Sequence, residues 1–450
     1  MTSADITSYF LLITYYLLIL SDIDDFQLKE EVLTMKYRTI AFLSLLLVLT
    51  LVLASCASAP AAADLMAGIQ AAEWPADPNE PDPVYTTSLS DFAWTLFQES
   101  TANPGNILIS PASVYLALAM TLNGADSTTR DAMLEALSAQ GLNLEELNTA
   151  SRDWITLLAS ENEKVRLVVA NSIWYREGFN PDRDFLQRNA DYFAAGAQML
   201  DFSRPEAVET INGWVSDATN GLIERMLEEI GPAVVMYLIN TIYFKADWQT
   251  PFIKNYTAEG NFNSPKGAVK VQFMHRTDNM SYLEAEGATG VLLPYADNRF
   301  AFFAVLPPEN TTPRQMVLEQ NSSFLRSILN SEKDLTVELT LPAFKTSYSD
   351  SLVDELKNMG MAIAFSSGAD FSLMNSGRSK DLFISEVKHK TMIDLNENGT
   401  EAAAATLVEI SKTGMPSADR LLTFDRPFIY GIVDRISGQP IFIGILENPD

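Results

Sequence analysis

Two histidines and one cysteine are all that a chain of 450 residues offers of the side chains most used in metal and nucleophilic chemistry. His275 and His389 lie too far apart for the paired spacing of a zinc-protease helix, and no Gly-x-Ser-x-Gly elbow or phosphate-binding glycine loop occurs. The chain is therefore poorly equipped as a catalyst. Its most unusual chemistry lies in residues 394–416, read as Asp-Leu-Asn-Glu-Asn-Gly-Thr-Glu-Ala-Ala-Ala-Ala-Thr-Leu-Val-Glu-Ile-Ser-Lys-Thr-Gly-Met-Pro. Gly399 can turn the backbone. After it come Thr400, Glu401, Ala402, Ala403, Ala404, Ala405 and Thr406, of which only Glu401 is larger than threonine. A mixed tail then follows that a protease can read. Four alanines by themselves favour an exposed helix, because alanine leads the helix scale. Side chains this small can also be tucked under or between other elements.

Cys56 has no partner for an internal disulfide, so the folded part rests on its core alone. Its surroundings give it another use. From Met35 the chain carries Lys36 and Arg38, an apolar run over 40–53, and then Leu53-Ala54-Ser55-Cys56, the layout of a bacterial signal peptide. The last four residues resemble a lipoprotein box, in which the peptide is cut before the cysteine and the cysteine is lipidated. An ordinary signal peptide and a buried thiol are the alternatives. Several acyl chains anchor a protein stably where one does not. Residues 1–34 do not fit this plan: their apolar run over 10–20 is too short to span a bilayer and runs into Asp22, Asp24 and Asp25. They read as a start-site artefact or an extra leader.

The resulting division is 1–34 as artefact or leader, 35–55 as lipoprotein signal peptide, 56–87 as a tether rich in alanine, proline and acid, and 88–450 as one folded domain. Pro75, Pro78, Pro81 and Pro83 stiffen the tether. The expected location is extracytoplasmic, on a bacterial membrane. A net charge of -27 and a pI near 4.4 argue against nucleic acid as a partner. Acidity of this kind keeps a secreted protein soluble.

Within 88–450, Ser90 and Asp91 lead into Phe92, Ala93, Leu96 and Phe97 at helical spacing. Ser110 caps a second helix, Pro111 fits its first turn and Gly124 ends it. That helix is apolar nearly all round and must be buried. A third start falls at Thr128 and Asp131. Ser203, Pro205 and Glu206 read as a capping box. Strand signals cover 167–175, 234–245, 269–274, 290–295, 300–306, 334–341, 383–395, 427–433 and 440–446. Helices crowd the first half and strands the second, which predicts an α+β fold with large, mostly antiparallel sheets.

With these pieces in place, residues 88–450 resemble the serpin family. The resemblance is carried by 106–124, with Asn106-Ile-Leu-Ile-Ser-Pro-Ala-Ser, and by 212–223, with Trp214-Val-Ser-Asp-Ala-Thr-Asn-Gly-Leu-Ile. It is carried also by 240–252, with Asn240-Thr-Ile-Tyr-Phe-Lys-Ala-Asp-Trp-Gln-Thr-Pro-Phe. Residues 341–348, 368–372, His389-Lys390 and the segment from Arg426-Pro427-Phe428 through Gly444 to Asn448-Pro449 complete it.

The resemblance implies the serpin fold, helices around large sheets with an exposed reactive-centre loop, and the activity of a suicide inhibitor of serine proteases. It identifies 394–416 as that loop. After cleavage and acyl-enzyme formation, the part from Gly399 to Thr406 swings about its hinge and enters the main sheet as a strand. Alternation then points Thr400, Ala402, Ala404 and Thr406 to the core. Ser110, Ser113, Asn240 and His389 fall on the shutter, the polar cluster beneath the middle of that sheet, and Trp248 on the breach where the sheet first opens. His389 should be buried and hydrogen-bonded; His275 reads as an ordinary surface or turn residue. Family spacing puts the scissile bond at Thr413-Gly414, suited to elastase- or subtilisin-like enzymes. Cleavage after Lys412 would admit trypsin-like ones, and Met415 is a third option. Cysteine proteases are a secondary class of target. The protein is expected to be a monomer that needs no cofactor or metal. The alternative is a non-inhibitory serpin that acts as a binding module.

Overall fold

The computed structural model describes residues 62–161, 163–232, 234–400 and 417–449. Cys56, Glu401, Ala402, Ala403, Ala404, Ala405, Thr406, Lys412, Thr413, Gly414 and Met415 lie outside them. In chain order the described residues form β1 (Ala63–Asp64), α1 (Pro83–Ser100), β2 (Ile107–Ile109), α2 (Pro111–Leu122), α3 (Ser127–Ala136) and α4 (Leu144–Leu158). β3 (Ser160–Glu161), β4 (Val165–Arg176), α5 (Arg183–Phe193), β5 (Gly196–Leu200), α6 (Glu206–Ala218) and β6 (Met236–Asp247) follow. Then come β7 (Ala258–Ser264), β8 (Gly267–Ala285), β9 (Ala288–Pro294), β10 (Phe300–Leu306), α7 (Pro313–Glu319), α8 (Ser323–Leu329), β11 (Lys333–Pro342) and β12 (Phe344–Ser351). After a short α9 (Val353–Leu356), the chain ends with β13 (Lys388–Leu395), β14 (Gly399–Thr400), β15 (Arg420–Thr423), β16 (Phe428–Asp434) and β17 (Pro440–Leu446).

Two sheets carry this α+β architecture. The first is eight-stranded, in the order β1-β5-β4-β6-β14-β13-β12 with β3 beside β4; the second is nine-stranded, in the order β15-β11-β8-β9-β10-β16-β17-β2 with β7 beside β8. Among the described residues only β4 with β5 and β11 with β15 pair in parallel. The all-apolar helix predicted after Ser110 is α2. It packs on β6 of the first sheet and β17 of the second, and every residue but Ala117 is buried. On the other face of the first sheet, Ile211 and Val215 of α6 join Trp174 of β4 and Ile239 of β6 in a separate apolar cluster.

Several boundaries differ from expectation. α1 starts at Pro83, not near Ser90: the Asp82 carboxylate accepts from the Val84 N–H at 2.7 Å, and proline fits the first helical position. Nor are residues 62–87 an extended tether. β1 pairs with β5, the Trp74 indole donates to the Asp191 carbonyl at 2.7 Å, and Leu65, Met66, Ile69 and Trp74 pack on the core. α3 is capped by Asp126 rather than Thr128. Ser203 forms no capping box, because its hydroxyl donates to Asp201 Oδ1 at 2.6 Å while Pro205 is already helical. β13 begins at Lys388, since 383–387 meets no partner strand. β8 runs on to Ala285, and His275 is half-buried within it, with Nδ1 3.0 Å from Thr340 Oγ1.

Candidate functional site

The site is a gap in the first sheet. β14, two residues long, lies between β6 and β13: Gly399 is opposite Asp247, while Thr400 is opposite Ala246 on one side and Leu395 on the other. Among the described residues no register pair joins β6 directly to β13. Below β14, no described strand stands between β6 and β13. Unpaired strand edges are templates for an added strand.

Local chemistry fixes the head of the gap. Asn396 and Gly399 exchange main-chain hydrogen bonds at 3.0 and 3.3 Å, and the Asn398 N–H donates to Asn396 Oδ1 at 3.0 Å, so the chain reverses tightly after β13. Trp248 braces that turn: its main-chain N–H donates to the Asn398 carbonyl at 2.8 Å and its indole to the Asn396 carbonyl at 2.9 Å. The same ring stacks on Tyr295, with centroids 4.7 Å apart and planes 3° from parallel. A pair of this kind adds about 1 kcal/mol beyond its buried area. Tyr295 in turn reaches into the gap, its hydroxyl 2.6 Å from Thr400 Oγ1. Burial pushes the Tyr295 phenol up, so it stays protonated and available as a donor. Gly399 is required by space as well as by the turn, because a Cβ there would stand 1.9 Å from the Ala246 carbonyl oxygen.

Lower in the gap lie the polar residues expected at the shutter. His389, buried on β13, accepts a hydrogen bond at Nε2 from the Ser110 N–H at 3.1 Å. The Ser110 hydroxyl donates to the Ile441 carbonyl at 2.8 Å and accepts from the Ser113 N–H at 3.3 Å, capping α2. Ser113 donates to the Asn240 carbonyl on β6 at 3.3 Å, and the Asn240 amide donates to Asn171 Oδ1 at 2.7 Å. α2 is thereby tied to both strands that border the gap. Burial lowers the His389 pKa to about 4, so the ring is neutral at physiological pH. A neutral ring is what acceptance at Nε2 requires.

The structure brings Ser110, Ser113, Asn240 and His389 into one group and puts Trp248 and Thr400 in another. Tyr295, Asn396 and Asn171 belong to these groups and were not singled out by the sequence. Tyr295 and Thr400 stand 105 positions apart, and the bridge between Trp248, just after β6, and Tyr295, just after β9, brings them together. Among the described residues no group of three or more His, Cys, Asp or Glu side chains is arranged to hold a metal ion. The arrangement suits the admission of a strand between β6 and β13.

A family model described as serpin (serine protease inhibitor) matches residues 87–449. An uncharacterized serpin-like protein of Thermococcus kodakarensis is 32% identical over 375 residues, covering 80% of this chain and 85% of its own. The leukocyte elastase inhibitor of Bos taurus is also 32% identical over 375 residues, covering 80% of this chain and 97% of its own. The crystal structure of a thermophilic serpin, tengpin, in its native state superposes with a TM-score of 0.80 at 38% identity, covering 86% of this chain and 99% of that one.

Proposed function

The chain belongs to the serpin family, and we propose that it is a suicide inhibitor of extracellular serine proteases, which traps the acyl-enzyme by inserting its cleaved loop into the first sheet. The observation that carries this reading is β14 itself. Its two residues already occupy the head of the gap, and the next six in sequence are Glu401, four alanines and Thr406.

The register supports insertion residue by residue. Thr400 is buried, with its hydroxyl on Tyr295. Continuing the same antiparallel pairing in steps of two sets Ala402 opposite Phe244 and Ile393. It sets Ala404 opposite Ile242 and Thr391, and Thr406 opposite Asn240 and His389. All four inward residues are small, and none is proline, so neither bulk nor a missing donor stops the ladder. A protease held by an ester at Thr413 is then dragged along, and deacylation fails because it depends on close positioning.

Target choice rests on Thr413-Gly414, which fits elastase- or subtilisin-like pockets, with Lys412 as the alternative for trypsin-like enzymes and cysteine proteases as a secondary class. That the bovine relative is called a leukocyte elastase inhibitor supports the first choice. Lipidation of Cys56 would hold this monomer outside a bacterial membrane. Cys56→Ser is expected to release it into the medium, and persistent membrane association would count against the anchor.

Incubation with trypsin-, elastase- and subtilisin-like proteases should give an SDS-stable complex and a released peptide that begins at Gly414 or Thr413. Cleavage by all three without any complex would leave the non-inhibitory binding module as the better reading. That reading has one observation in its favour, a cavity at the far end of the same gap.

A further inference from the structure

At the end of the gap remote from β14, β6 and the 381–389 segment part to leave a cavity of about 130 Å³. Its walls include Val114, Ala117 and Leu118 of α2, Leu238 of β6, and Phe371 and Met374. Ala117 is the single residue of α2 that is not buried, and it is the cavity that uncovers it. Ser113, Asn240 and His389 line one part of it, and Asp381, Ser385, Glu386 and Lys388 also border it. Asn240 is one of the lining residues, and its Oδ1 is buried with no hydrogen-bond partner. A buried acceptor left in that condition costs free energy until a donor reaches it. Apolar cavities of about 150 Å³ in other proteins stay dry and take up benzene.

We infer that this cavity is a binding site for a compact, mostly apolar small molecule with one N–H or O–H donor, about the size of indole, and that its occupancy opposes loop insertion. The second half rests on the proposed function. In the register above Thr406 arrives beside Asn240 and His389, so the residues after it must enter the space the ligand fills. Each would exclude the other. The donor requirement follows from Asn240 Oδ1, and the size limit follows from the walls.

Indole is the probe, and benzofuran, which has the same outline without the N–H, is its control. With the full chain and millimolar indole, the Tm should rise by about 2 °C, as expected for a ligand bound only by the folded state. Benzofuran should give less than half that rise. Ala117→Phe places a ring in the cavity and should abolish the shift. Should that variant fail to fold, the milder Ala117→Leu should at least halve it. In the protease assay, saturating indole should raise the number of inhibitor molecules consumed per trapped protease at least about twofold. No shift with indole, or a shift that survives both Ala117 substitutions, overturns the site; equal shifts for the two probes overturn the donor. Binding that leaves the trapping ratio unchanged overturns the competition. If no protease is trapped at all, the functional reading has failed and the Tm measurements still decide the site.

Discussion

His389 couples the centre of the gap to pH. Its ring accepts from the Ser110 N–H, which a doubly protonated imidazole cannot do. Burial holds its pKa at about 4 in the folded chain, against about 6.5 when exposed. The folded state therefore refuses a proton that the unfolded state takes. Stability is whole above pH about 6.5 and is lost as the pH falls toward 4, by up to about 3 kcal/mol. Asp350, opposite His389 in register, opposes this shift, and Lys388 and Lys390 flank it on β13. Glu355, linked to Asp350 through the Asn103 amide, is raised by burial and works with the other sign, adding stability as the pH falls. Urea unfolding of the parent and of His389→Gln from pH 7.5 to 4.5 separates the two. The parent should lose stability steeply over that range, whereas the variant should start lower and change less. Parallel curves would remove His389 from the pH response.

Elements with a continuous apolar pattern were legible in the sequence. α2, β6, β10 and β17 stand close to their expected places because a continuous apolar pattern leaves few alternatives. α4 and α5 were not foreseen, although α4 has its own capping box at Asn143 and Glu146. The segment before Pro83 was misread for a physical reason: alanine, proline and acid describe a linker, while Leu65, Met66, Ile69 and Trp74 supply just enough apolar surface to dock. The candidate site was legible as a set of residue types and illegible as a set of contacts, since Tyr295 meets Thr400 only after the sheet has formed. β14 is the element on which that contact bears. Thr400→Arg would remove the hydroxyl from Tyr295 and put a guanidinium where the chain is buried, a change that costs several kcal/mol without a partner charge. β14 should leave the gap. Insertion should slow, deacylation should win, and the yield of SDS-stable complex should fall about tenfold or more, with cleaved monomer in its place. Densitometry of a timed digest measures it, and an unchanged yield would show that Thr400 does not lead the strand.

For the whole molecule, the proposed insertion gives β6 and β13 one more strand between them below β14. That strand adds on the order of ten main-chain hydrogen bonds at roughly 1 kcal/mol net each. That sum matches the entire folding stability of an ordinary domain, about 5–15 kcal/mol. In the proposed function that gain is collected after cleavage, because the loop is joined at both ends, to β14 on one side and to the segment that leads into β15 on the other. Cutting between 407 and 415 frees one end. Nicking the loop should therefore raise the Tm by about 10 °C or more, since at roughly 2.1 cal/mol/K of unfolding entropy per residue each kcal/mol is worth about 1.3 °C in a folded part of this size. Differential scanning calorimetry of intact and nicked protein reads this directly, and equal Tm values would mean that the gap is not a receptacle for the loop. The same inequality gives the reaction its direction. A strand seated by that margin would not come out again, so an inhibitor working in the proposed way would act once and be consumed with its target.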